Sequence, residues 1–116
     1  MDIYHIWCDL RPDVRDVTFA EQMKAYMEHL QAGGLIGGWR LTRRKLGLGP
    51  AGMGEFHIMV EVADLVQLER AFQQVASRQD PTEGLHFGVN SLVTNARFAL
   101  YRDFPDAFRR RGDERF

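Results

Sequence analysis

Residues 54–62 read Gly-Glu-Phe-His-Ile-Met-Val-Glu-Val, and Phe56, Ile58, Val60 and Val62 alternate strictly with Glu55, His57, Met59 and Glu61. A strand turns successive side chains to opposite faces, so this segment predicts a strand with one apolar and one chemically loaded face. Residues 3–10 behave alike: Ile6, Cys8 and Leu10 alternate with His5, Trp7 and Asp9 until Pro12 ends the run. A strand over 36–45 sends Trp39 and Leu41 one way and Arg40, Thr42 and Arg44 the other. A last strand over 96–104 sets Phe98 and Leu100 against Arg97, Ala99 and Tyr101, with Pro105 as its stop.

Two segments carry helical spacing instead. Phe19, Met23, Tyr26, Met27 and Leu30 follow a capping pair, Thr18 and Glu21, and Gly33-Gly34 closes the helix. Asp64 and Gln67 form a second capping pair, ahead of a buried stripe of Leu65, Leu68, Phe72, Val75 and Ala76. After Pro81 a short helix is expected over 85–93, broken early by Gly88. The order is β-α-β-β-α-(α)-β. Right-handed crossovers fold it into an α+β, ferredoxin-like sandwich, a four-stranded antiparallel sheet ordered 4-1-3-2 with both main helices on one face. Residues 1–105 form the expected single domain, and 106–116 a charged, mobile C-terminal tail.

The helices need an apolar partner, which turns His5, Trp7, Arg40, Arg44, Glu55, His57, Glu61 and Tyr101 to the opposite sheet face. Gly37-Gly38 invites a bulge that would invert the second strand's share. Ile3, Trp7, Met59 and Tyr101 on that face are too much apolar surface to leave bare, and the polar groups among them do not suit a dry interface. A second copy packed face to face resolves both, giving a homodimeric barrel with a polar interior.

Composition narrows the class. A chain of 116 residues suffices for one core burying roughly 65% of its unfolded surface. The net charge of −1 argues against a nucleic-acid binder. Cys8 is the only cysteine, so no internal disulfide forms, which fits a reducing cytoplasm. Asp2, His5 and Asp9 interrupt any signal peptide, and no apolar run reaches membrane-spanning length. Gly47, Gly49 and Gly52 match G-x-G-x-x-G, but the segment joins two strands rather than a strand to a helix, so it reads as a hairpin loop.

The blocks MDIYHIWCDL, GWRLTRRKLGLGPAG, GEFHIMVEV and EGLHFGVNSLV with FALYRDFPD resemble an uncharacterised bacterial family of unknown function over nearly the whole chain. Element order, two-faced sheet and third helical segment resemble the dimeric α/β-barrel superfamily. That superfamily includes cofactor-free monooxygenases, haem-degrading enzymes, small cyclases and dehydratases, and stress-responsive proteins. The resemblance implies a site between helices and sheet or inside the barrel. The haem-degrading pattern of a first-strand Asn and a second-helix Trp is not met here; only His86 falls in a suitable region.

His57 and His5 fall on neighbouring strands, and paired imidazoles near Glu55 or Glu61 suit acid–base work; equally, they suit hydrogen-bonded interface histidines. With a carboxylate they would also make a two-His metal set, but no H-x-H or H-x-x-x-H spacing supports one. No metal and no cofactor are expected. Arg40 and Arg44 suit carboxylate or phosphate, or cross-strand pairing with Glu55 and Glu61. Trp7 stacks on a planar molecule or packs at the interface, and Tyr101 offers a hydroxyl to a developing oxyanion. His86 and Asn90 lie four apart on the short third helix, at the rim of a helix-side cavity. The expected function is a homodimer binding a small polar or aromatic molecule, with cofactor-independent oxygenation, isomerisation or elimination. The alternative is a non-catalytic ligand-sensing or stress-responsive dimer.

Overall fold

A computed structural model describes residues 1–112; the last four residues of the expected tail lie outside the described residues. The elements are β1 (Asp2–Leu10), α1 (Asp16–Ala32), β2 (Gly38–Arg43), β3 (Phe56–Val62), α2 (Leu65–Ala76), α3 (Thr82–Asn90) and β4 (Val93–Arg102). The sheet is antiparallel with order β2-β3-β1-β4, the ferredoxin-like topology that the chain order predicts.

Register fixes the two faces. Tyr4, Ile6 and Cys8 pair with Val60, Ile58 and Phe56, and Trp39 and Leu41 continue those rows on β2. Cys8, Phe56, Ile58, Val60 and Val62 are buried against Phe19, Met23, Tyr26, Met27 and Leu30 of α1, so the core lies between sheet and helices. Phe98 and Leu100 pair with Ile6 and Tyr4, yet stay 61% and 51% exposed. They face the helix side without joining the core.

Several local expectations are corrected. Helix α1 begins at Asp16, two residues ahead of the Thr18–Glu21 pair, with no side-chain cap at Arg15. The Asp16 carboxylate accepts from the Val17 amide at 2.7 Å and from Arg43 at 2.9 Å, which places negative charge at the positive end of the helix dipole. The Gly33-Gly34 stop is a Schellman turn: Leu35 N–H donates to Leu30 at 2.9 Å and Gly34 N–H to Gln31 at 3.0 Å, Gly34 taking φ +71°. Asp64 caps α2 by accepting from Gln67 N–H at 2.9 Å, and the Gln67 side chain accepts in return from Ala63 N–H at 2.7 Å. Only Leu68 and Ala71 of α2 are fully buried, whereas Leu65 and Phe72 are 57% and 44% exposed. The helix therefore seats on the Leu68–Ala71–Val75 line.

Helix α3 starts at Thr82, earlier than expected, with Pro81 just ahead and Asp80 accepting from Gly84 N–H at 3.0 Å. Gly88 does not break it. A Cβ there would meet only the movable end of the Gln22 side chain of α1, at 2.8 Å. Fully buried Thr82 bonds His29 at 2.8 Å and accepts from Gln74 at 3.3 Å, joining α1, α2 and α3. The bulge falls in β4 rather than β2: the register shifts between Trp7 and Asp9, leaving Asn95 and Ala96 opposite Cys8, with Asn95 at φ +53°. Beyond β4, Asp106 pairs with Arg102 at 2.9 Å and Arg109 at 3.6 Å.

Candidate functional site

The open face of the sheet is a grid of three cross-strand rows. One runs Gly38, Glu61, Ile3, Tyr101; the next Arg40, Met59, His5, Ala99; the third Thr42, His57, Trp7, Arg97. His5 and His57 sit diagonally and meet: Nδ1 of His5 lies 2.8 Å from Nε2 of His57. Trp7 stacks on His57 with centroids 4.5 Å apart at 9°, and Tyr101 stands nearly perpendicular to His5 at 4.8 Å. Nε2 of His5 is buried without a hydrogen-bond partner. Burial holds both imidazoles below their ordinary pKa, and for His57 the neighbouring His5 adds to the lowering. At neutral pH this is an uncharged pair.

The other face holds a cavity of about 300 Å³ between β1, β3, β4 and the three helices. Its lining is mostly apolar, including Ile6, Ile58, Phe72, Val89 and Phe98, and its polar groups are Tyr4, Tyr26, Cys8, His86 and Asn90. The Tyr26 ring lies 5.7 Å from His86. Burial pushes Tyr26 up to about 12 and Cys8 up to about 11, so both are protonated donors at neutral pH. The exposed sides of Phe72 and Phe98 mark its mouth.

The sequence-predicted residues therefore divide between places. His5, His57, Trp7 and Tyr101 form one aromatic cluster on the open face, with Arg40 beside it across from Met59. Glu61 lies in the outer row. Glu55 turns to Arg43 at 3.0 Å, and Arg43 also holds Asp16. Arg44 is committed to the 46–54 loop, donating from Nη2 to the carbonyls of Met53 at 2.7 Å and Pro50 at 3.2 Å. It meets Trp7, Glu55 and His57 around a shallow hollow of about 190 Å³ beneath that loop. His86 and Asn90 are on the far side of the sheet, at the cavity. Among the described residues no three His, Cys, Asp or Glu side chains gather as a metal site. No helix among them is long and apolar enough to cross a membrane.

Sequence reasoning missed three participants. Tyr4 belongs to the helix-facing alternation of β1 and was legible there. Asp9 clips the sheet end, accepting from Glu55 N–H at 2.8 Å and Asn95 at 3.0 Å, and those bonds hold its carboxyl below the usual range. Arg43, not Arg40 or Arg44, carries the cross-strand ion pair, because Glu55 leaves the grid where β3 begins.

Solved structures with this fold include SnoaB, a cofactor-independent oxygenase from Streptomyces nogalater. It is 9% identical, covering 93% of this chain and 97% of its own, with TM-score 0.69. An Arabidopsis thaliana protein matches with TM-score 0.72 at 7% identity, covering 92% of this chain and 99% of that one. A dimeric ferredoxin-like protein of unknown function from Thermobifida fusca is 18% identical, covering 87% and 90% of the two chains, with TM-score 0.54. At such identities the likeness is one of fold. No curated protein matches the sequence. The model described as "Family of unknown function (DUF6614)" spans residues 1–116, and the chain belongs to that family.

Proposed function

We propose that this protein is a homodimer, joined through the open sheet face, that binds a flat, largely apolar small molecule in the helix–sheet cavity. The observation that carries the reading is the cavity itself, about 300 Å³ of mainly apolar wall with few polar groups in its lining. That volume stands at the lower end of the roughly 300–1,000 Å³ typical of ligand pockets and suits one or two fused rings. Asn90 and the Tyr26 hydroxyl orient a polar substituent. In the catalytic version His86 accepts the phenol proton and dioxygen is the oxidant. A ring carbon of the phenolate bonds to oxygen, the C–H and O–O bonds break, one oxygen stays as a quinone carbonyl and the other leaves as water. A ligand-sensing dimer is the non-catalytic alternative, in which the same pocket only binds. Residues 1–105 form the single domain of this assembly and 106–116 its C-terminal segment. Cys8, unpaired and buried, suits a reducing cytoplasm.

A second reading is favoured by the 2.8 Å contact of His5 and His57. In it the ligand lies inside the barrel, His57 or His5 accepts the proton, Arg40 holds an acidic group, and Tyr101 stabilises the developing oxyanion. Arg44 is spoken for by the loop carbonyls, and Trp7 supplies the stacking surface.

Native mass spectrometry of the untreated protein tests both readings. A dimer carrying a small-molecule adduct is expected, with the adduct lost in His86→Ala and kept in His57→Ala. The reverse pattern replaces the first reading with the second, and a bare monomer removes both. Dioxygen uptake with 1-naphthol as probe separates the catalytic version from the sensing one.

A further inference from the structure

We infer that the His5–His57 pair makes the open sheet face a pH-gated interface, closed on a second copy near neutral pH and released in mild acid. This rests on the dimer proposed above and adds its control. The contact of 2.8 Å between Nδ1 of His5 and Nε2 of His57 needs one unprotonated nitrogen as acceptor. When both rings are charged, both atoms are donors and the bond is lost.

The surroundings offer a charged pair nothing in return. Trp7 covers the His57 ring, Tyr101 stands edge-on to His5, and the remaining His5 nitrogen is buried without an acceptor. The charged groups around the pair come from every strand. Strand β2 contributes Arg40, with Arg44 just past its end; β3 and its approach contribute Glu61 and Glu55; β1 contributes Asp9; and β4 contributes Arg97 and the Tyr101 phenol. Glu55 is taken by Arg43, and Asp9 by the Glu55 amide and Asn95. Glu61 is exposed in the outer row with Ile3 and Gly38. Arg40 and Arg97 have no carboxylate partner among the described residues. New imidazolium charge therefore arises in the two rows that hold the unpaired guanidiniums of Arg40 and Arg97, and the second copy presents the same groups.

In the single chain burial already depresses both imidazoles, and covering the face with a second copy buries them further. The open chain then binds more protons than the closed dimer, so association weakens as pH falls through the open chain's own depressed imidazole values, which lie below the ordinary ~6.5. One proton leaves the pair a donor and an acceptor, and the second breaks the contact. If closure lowers the affinity of each pair for that second proton by about tenfold, the two pairs of a dimer weaken association by about a hundredfold at the acid limit.

Sedimentation velocity across a dilution series at about pH 8 and about pH 5 reads the dimer constant directly. The expected result is weakening of about tenfold to a hundredfold in wild type and a pH-independent constant in His5→Gln/His57→Gln. A wild-type dimer with one constant at both pH values overturns the gating and leaves the interface standing. A monomer throughout overturns both. Should the double variant not fold, proton NMR of the wild-type imidazoles decides. Both rings must titrate below their ordinary value and in step with dissociation, and a ring titrating at or above that value overturns the gating.

Discussion

Replacing Gly54 with alanine tests how the strand bearing His57 is seated. Gly54 is buried and does not need the left-handed backbone region, so conformation alone permits alanine. Restricting the unfolded chain would even add about 0.4–1 kcal/mol of stability. Space decides the other way. A Cβ at Gly54 would stand 2.5 Å from both the backbone nitrogen and the backbone oxygen of Cys8 in the neighbouring strand. Ordinary contact begins near 3.4 Å, so β3 and β1 must part by about 1 Å at this point. Overpacking of this kind costs about 1–3 kcal/mol. The shift also strains the 2.8 Å bond from Glu55 N–H to Asp9, whose loss costs about 1–3 kcal/mol more. The net expectation is destabilisation of about 2–5 kcal/mol, measured by urea unfolding followed by tryptophan fluorescence. Gly33→Ala is the control: its φ of −81° suits alanine and its Cβ would meet nothing closer than 3.6 Å, so it should cost under about 1 kcal/mol. Equal effects of the two substitutions, or a Gly54→Ala loss below about 1 kcal/mol, would refute the steric reasoning.

Three further outcomes are expected. Thr82→Val leaves His29 and Gln74 without their shared hydroxyl at a fully buried position, and should cost about 1–3 kcal/mol in urea; a neutral change contradicts the bridging role. Cys8, pushed up to about 11 by burial, should resist iodoacetamide at about pH 8 in the folded protein and react promptly in urea. Comparable rates in the two states would count against its burial. Asp9 has its carboxyl held low by Asn95 first and the Glu55 amide second, so its contribution is present above about pH 4 and lost as pH falls toward its folded value. Acid unfolding of Asp9→Asn should therefore show a shallower decline below about pH 4 than wild type, and parallel declines would dismiss the clip.

The sheet was legible because an alternating strand has only two ways to face, and one was fixed by the need to cover helices. The rows of Phe56, Ile58 and Val60 and of His5, Trp7 and His57 follow from that choice. Register was not legible, since a single chain gives no cross-strand pairs. The approach of His5 to His57 and the departure of Glu55 toward Arg43 both depend on it. Helix α2 shows a different limit: the helical spacing puts Leu65, Leu68, Phe72, Val75 and Ala76 on one stripe, whereas the buried positions are Leu68 and Ala71, and Leu65 and Phe72 stay largely exposed. The cavity was only half readable. His86 and Asn90 mark its α3 wall by their spacing, but Tyr26 looked like ordinary core, and the exposure of Phe98 at the mouth depends on where β4 lies in the sheet.

The proposal that the helix–sheet cavity is the binding site is tested most directly by amide NMR of the isotope-labelled protein titrated with 1-naphthol. Saturable shifts should concentrate on the backbone of Tyr26, His86, Val89 and Asn90, and a Val89→Trp variant, which fills the cavity, should abolish them. Shifts confined to His5, Trp7, His57 and Tyr101, or binding that survives Val89→Trp unchanged, would contradict it.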